Sequence, residues 1–155
     1  MAIIEAAVTL VLAVQPVVAD KAEDVALLEA CVAAAGGAVP SAADTCLGQV
    51  AQHCLVSTPV EQGDLVRCAQ AEQEAWTIIL DATVTRLRER QPPQVVAAIE
   101  TGQEAWRPWL DARCAIYGAV SGEGEFDPLL LRCLADTTAQ RVVDLWAIER
   151  GLAGD

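Results

Sequence analysis

A chain of 155 residues with a mean hydropathy of +0.33 suits one domain with its own core. Ten basic against 22 acidic side chains give a net charge of −12, with no run rich in Lys or Arg. That balance excludes binding to a nucleic-acid backbone or an anionic membrane surface and favours a cationic partner. Apolar residues are 54 %, mostly Ala and Val, and aromatics only 4 %. A core of small side chains gains less per position, at roughly 25 cal/mol per Å² buried, so covalent staples are expected to help it.

The first nineteen residues read as an export signal. An apolar stretch from Ala6 to Val14 is followed by Pro16 and a small-residue end at Val17 and Ala19. Cleavage after Ala19 removes one charge, Glu5, taking −12 to −11, and leaves a mature domain over residues 20–155. The n-region departs from the usual pattern in holding Glu5 and no basic residue. Retention as a membrane span is disfavoured by the shortness of the run and by Gln15 and Pro16. The expected compartment is periplasmic or secreted, with no membrane contact once the signal is removed.

Helical periodicity dominates the remainder, and no stretch alternates as a strand should. The expected fold is all-α, a single small domain of about five helices stapled by disulfides. The first runs from about Lys21 to Ala35 and stops at Gly36-Gly37; the second spans about Ala42 to Val56, after Pro40 and with Ser41 as candidate cap. Thr58-Pro59-Val60-Glu61 has the form of a capping box with proline at the first helical position. It opens a long third helix, to about Arg90, which Pro92-Pro93 ends. A fourth covers about Gln94 to Tyr117. The loop GAVSGEGEFD then leads through Asp127-Pro128 into a fifth, ending near Gly151.

At 100° per residue, Ile99, Gln103, Trp106, Leu110, Cys114 and Tyr117 share one stripe of the fourth helix. Leu130, Leu134, Thr137, Arg141, Leu145, Ile148 and Leu152 share one of the fifth. Trp106 is thus expected in the core and Trp109 at its edge or outside it. Pro108 removes a backbone donor mid-helix and is expected to kink it.

Six cysteines behind an export signal point to three disulfides, with fifteen connectivities open. Zinc and redox dithiols are disfavoured: there is no CxxC pair, and the single histidine, His53, has no second one to join it. Cys46 and Cys54 lie on one expected helix about 12 Å apart along its axis, too far to bond. Cys31 and Cys46 flank the Gly36-Gly37 turn, Cys54 and Cys68 flank Ser57-Thr58, and Cys114 and Cys133 flank the glycine-rich loop. Sequential pairing is the expected choice.

The segment AWRPWLDARC, a Gly-containing loop and CLADTTAQRVVDL together resemble the lysozyme-inhibitor LprI-like family of exported bacterial proteins. The matching positions are Gln103, Trp106, Trp109, Asp111, Ala112, Cys114, Cys133, Thr138, Arg141 and Leu145. Upstream, Cys68, Glu72 and Trp76 match the Cys-x3-Glu-x3-Trp segment of its cysteine-rich members. The resemblance spans about residues 46–146, with departures at Leu110, where the family usually has Arg, and Thr77, where many members have Asp. It implies an exported helical binding protein that inhibits lysozyme. The alternative is a structural or adaptor module of the cell envelope.

Arg141, on an otherwise apolar face, needs a partner. Glu72, on the Trp76 and Leu80 face of the third helix, is the expected structural ion pair; Asp111 is its rival, and a lysozyme carboxylate the functional alternative. No nucleophile–base–orienter set, phosphate cradle or metal motif is present, so no catalytic residue, metal or cofactor is assigned and no enzyme is expected. A basic lysozyme suits the acidity of the chain. The expected contact lies in the SGEGEFDP loop: Glu123, Glu125 and Asp127 around Phe126 as aromatic anchor. The competing reading is a solvated linker whose Phe126 folds back onto the core.

Overall fold

The computed structural model describes residues 18–37, 40–57, 62–121 and 127–153, and within them the chain is all-α with three disulfides. The helices are α1 (Val18–Ala34), α2 (Pro40–Cys46), α3 (Gln49–Ser57), α4 (Gln62–Arg90), α5 (Pro93–Ser121) and α6 (Pro128–Ala153). Most of the expected signal segment and the Thr58–Glu61 capping box lie outside the described residues. α1 begins at Val18, so the expected cleavage point after Ala19 falls in its first turn.

Glycine sets two of the turns. After α1, the Gly37 amide donates to Val32 O at 2.8 Å and the Gly36 amide to Ala33 O at 3.3 Å, with φ of 77° and 97°. This reverse-handed ending satisfies the last carbonyls of α1, and residues with a Cβ enter it only under strain. The second expected helix is two helices, α2 and α3, because Gly48 takes φ 89° between them. Its φ is a backbone choice that periodicity does not register.

The core forms around α4 and α6, the pair in most extensive contact. α1 and α3 pack on α4, and α2 packs on α6. α5 lies against α6 and touches α4 little, so it is an outer helix. On α4 the i, i+4 ladder of Cys68, Glu72, Trp76 and Leu80 is buried throughout, and Trp76 is the largest fully buried side chain. Facing it are Ala135, Ala139, Val142, Val143 and Leu145 of α6, with Leu28 and Val32 of α1 and Val50 of α3 completing the cluster. Many of these residues are small, which lets the helices approach closely. Trp146 is only partly buried, yet its indole N–H donates to the buried Thr83 hydroxyl at 2.8 Å.

The stripe expected on α6 is rotated from its main buried face by about one residue, or 100°. Leu131, Ala135, Thr138, Val142 and Leu145 are buried, whereas Leu130, Leu134 and Arg141 are half-buried and Ile148 is exposed. A central helix buries more than one face. The expected stripe is the part that meets α5, where Thr137 and Arg141 make their polar contacts. On α5, Ile99, Gln103 and Cys114 are buried and Trp106 packs half-buried against the core, but Tyr117 is exposed. α5 continues through Pro108 as one element. Pro108 and Glu104 both face solvent, so water can serve the Glu104 carbonyl left without its intrahelical donor.

Candidate interaction surface

The cysteines bond as Cys31–Cys46, Cys54–Cys68 and Cys114–Cys133, with Cα separations of 5.8, 5.5 and 5.6 Å. The first ties α1 to α2 across the double-glycine turn, the second α3 to α4, and the third α5 to α6 at the mouth of the glycine-rich loop. Cys114 Sγ is also 3.9 Å from Thr137 Oγ1, whose hydroxyl is the donor because the bonded sulfur carries no proton.

The expected Glu72–Arg141 ion pair does not form. Glu72 turns instead to the start of α3: Oε1 accepts from the Gly48 amide at 3.0 Å and from Trp76 Nε1 at 2.9 Å, and Oε2 accepts from the Ala51 amide at 2.9 Å. The first amides of a helix have no intrahelical acceptor and carry the positive end of its dipole, so a buried carboxylate there is well matched. The break at Gly48 creates that helix start. An expectation built on one continuous helix therefore had no place for Glu72 to cap.

Arg141 binds α5. Its Nε donates to Gln103 Oε1 at 2.7 Å, and its guanidinium lies over Gly102, where an added Cβ would stand 3.2 Å from it. Burial lowers the Arg141 pKa, opposed by the nearby Asp144 carboxylate. Asp111, the rival partner, is exposed on α5. Gln103 was legible as a polar residue on a buried stripe, which needs a partner of its own.

Of the four loop residues expected to touch a partner, Glu123, Glu125 and Phe126 lie outside the described residues. Asp127 is described, and it is buried: Oδ1 accepts from the Leu129 and Leu130 amides at the start of α6. It is an N-cap, which corrects its assignment to the partner-binding charges around Phe126. The pattern Asp-Pro at the head of a helical run carried that signal.

His53 lines an open cleft of about 530 Å³ where α1, α3 and α4 meet, beside Cys54, Arg67 and the Lys21–Glu74 ion pair of 2.7 Å. Among the described residues no group of three or more His, Cys, Asp or Glu side chains is placed to hold a metal ion. A second opening, of about 430 Å³, lies by the Arg86–Glu149 pair. Arg86 donates to both Glu149 oxygens, at 2.8 and 2.9 Å; this bond lowers the Glu149 pKa and raises that of Arg86.

Among the described residues, exposed large apolar side chains gather on the C-terminal half of α5. Trp109, Ile116, Tyr117 and Val120 are all exposed there, although the helix is otherwise well anchored through Cys114, Gln103 and Ile99. Arg113 sits over the Trp109 ring, 5.4 Å from its centre, and reaches Asp136 of α6 at 4.0 Å.

The family model described as lysozyme inhibitor LprI matches residues 54–145, which are 92 of the 155 and run from α3 to α6. No curated protein and no solved structure matches the chain.

Proposed function

Because this chain belongs to the lysozyme inhibitor LprI family, we propose that it is an exported, non-enzymatic protein that binds and inhibits a lysozyme. The family match over more than half of the chain carries this reading. Three disulfides together with that membership point to a protein that works outside the cytoplasm. We assign residues 1–19 to a removable export signal and 20–155 to the mature domain, periplasmic or secreted. No described helix is long and apolar enough to cross a membrane.

The charge of the chain supports the choice of partner. The mature chain at −11, without Glu5, attracts a basic lysozyme over distances comparable to the Debye length, about 10 Å at 0.1 M salt and about 3 Å at 1 M. Steering of this kind acts chiefly on the association rate.

The test is clearance of a cell-wall suspension by several basic lysozymes, with and without the purified mature protein. Inhibition is expected, with complex formation slowing as salt rises. Absence of inhibition at low salt against every lysozyme type refutes the reading and leaves an envelope adaptor module in its place. Phe126→Ala speeding dissociation would assign the glycine-rich loop to the contact; an unchanged dissociation rate would remove it.

A further inference from the structure

We infer that the solvent-facing side of the C-terminal half of α5 is the surface that docks on the lysozyme. The proposal rests on the inhibitor reading and adds the place of contact. Trp109 is 51 % exposed, Ile116 61 %, Tyr117 43 % and Val120 82 %. Along a helix, Trp109, Arg113, Ile116 and Val120 fall within an arc of about 60°, and Tyr117 lies about 40° beyond it towards the core-facing stripe. They repeat as i, i+4, i+7 and i+11, the spacing of a helix that lays one face against a partner.

The surface around them is apolar as well. From Ala112 to Ser121 the sequence has one charged residue, Arg113, although charged residues are 21 % of the chain. Only Cys114 and Gly118 of residues 112–120 are buried. Ala112, Ala115 and Ala119 are exposed along the flank of this stripe that faces away from Tyr117, and leave room there for close approach. An apolar patch this continuous on the surface of so acidic a chain marks an interaction site. Trp, Tyr and Arg are the residue types that dominate interface cores.

The patch is built on a fixed support. α5 is bonded to α6 through Cys114–Cys133 and tied again through Gln103 and Arg141. Arg113 covers the Trp109 ring and contacts Asp136, so the ring and the guanidinium hold each other in position. Binding therefore costs less ordering of side chains than a mobile patch would.

Charge selects the occupant. Two copies of the mature chain meet at −11 each and repel, and an anionic membrane repels it too. A cationic protein is drawn in and then held by the apolar stripe. Arg113 offers a charged directional contact, to a carboxylate or backbone carbonyl of that partner.

The experiment measures binding of the purified protein to a basic lysozyme it inhibits, with variants Trp109→Ala, Ile116→Ser/Val120→Ser and Arg113→Gln. Val56→Ser is the control, an exposed apolar change on α3. Each α5 variant should keep the wild-type melting temperature, because the side chains removed are exposed. Trp109→Ala and the Ile116/Val120 pair should each raise Kd at least tenfold, mainly through faster dissociation. Arg113→Gln should raise it a few-fold, and Val56→Ser should leave it unchanged. Wild-type binding with α5 variants that bind equally well overturns this surface and leaves the inhibitor reading standing. Failure of the wild type to bind any lysozyme overturns that reading and this one with it. Self-association of the wild type that Trp109→Ala abolishes would assign the face to a second copy and likewise overturn the proposal.

Discussion

Replacing Glu72 by alanine removes the acceptor for three donors at once: the Gly48 and Ala51 amides and the Trp76 indole N–H. Glu72 is only 3 % exposed, so solvent does not replace the carboxylate without rearrangement. A buried donor left unsatisfied costs about 1–3 kcal/mol, and a charge near a helix start contributes about 0.3–1 kcal/mol more. The three donors share one cavity that a water molecule can refill in part, so the loss is set at about 3–5 kcal/mol rather than the full sum. Glu72→Gln separates the effects. Its carbonyl oxygen keeps the Gly48 and Trp76 bonds, while its amide nitrogen meets the Ala51 N–H donor to donor, for a cost of about 1.5–3 kcal/mol. Unfolding by urea under non-reducing conditions should rank wild type above Gln and Gln above Ala. The melting temperature should fall by about 6–20 °C for the alanine variant, at about 2–4 °C per kcal/mol in a chain of this size. Hydrogen exchange supplies the local readout: the Gly48 and Ala51 amides should lose protection before those of α4. A Glu72→Gln protein within about 0.5 kcal/mol of wild type would refute the capping role. So would unchanged protection at Gly48 and Ala51 in the alanine variant.

Arg141→Leu leaves the Gln103 carbonyl without its donor, and a double-mutant cycle should show about 0.5–3 kcal/mol of coupling between 141 and 103. The same cycle between 141 and 72 should show none; coupling there would restore the ion pair that the structure excludes. Glu149 has its pKa depressed by the Arg86 hydrogen bond, so its contribution is present above the unfolded carboxylate pKa and is lost as pH falls through the lower folded value. The pair is partly solvated, so Glu149→Gln should cost about 1 kcal/mol or less at pH 7, a difference that vanishes under acid; an unchanged gap below the folded pKa would refute the linkage. Removing both Cys114 and Cys133 opens a 19-residue separation and should cost about 3 kcal/mol in chemical denaturation, whereas a loss under about 1 kcal/mol would place little of the stability in this staple.

The turn signals and the cysteine spacing were readable without tertiary structure, because they act over a few residues. Gly36-Gly37 ends α1 through its own backbone conformation, and Pro92-Pro93 closes α4 and opens α5. Each disulfide joins two helices consecutive in the chain, so cysteines placed near facing helix ends were readable as partners from spacing alone. Helical periodicity likewise placed Ile99, Gln103 and Cys114 on the buried side of α5. Which polar groups meet was decided by packing. Glu72 and Arg141 both stand on buried or half-buried faces and carry opposite charges, which made them natural partners in sequence. The turn at Gly48 gave Glu72 a helix start to cap, and the gap over Gly102 let Arg141 lie across α5 to Gln103. The Trp109–Val120 stripe belongs to the same class. Periodicity records that an apolar arc exists, but only the position of α6, against one side of α5, determines how much of that arc is covered and how much is left to a partner.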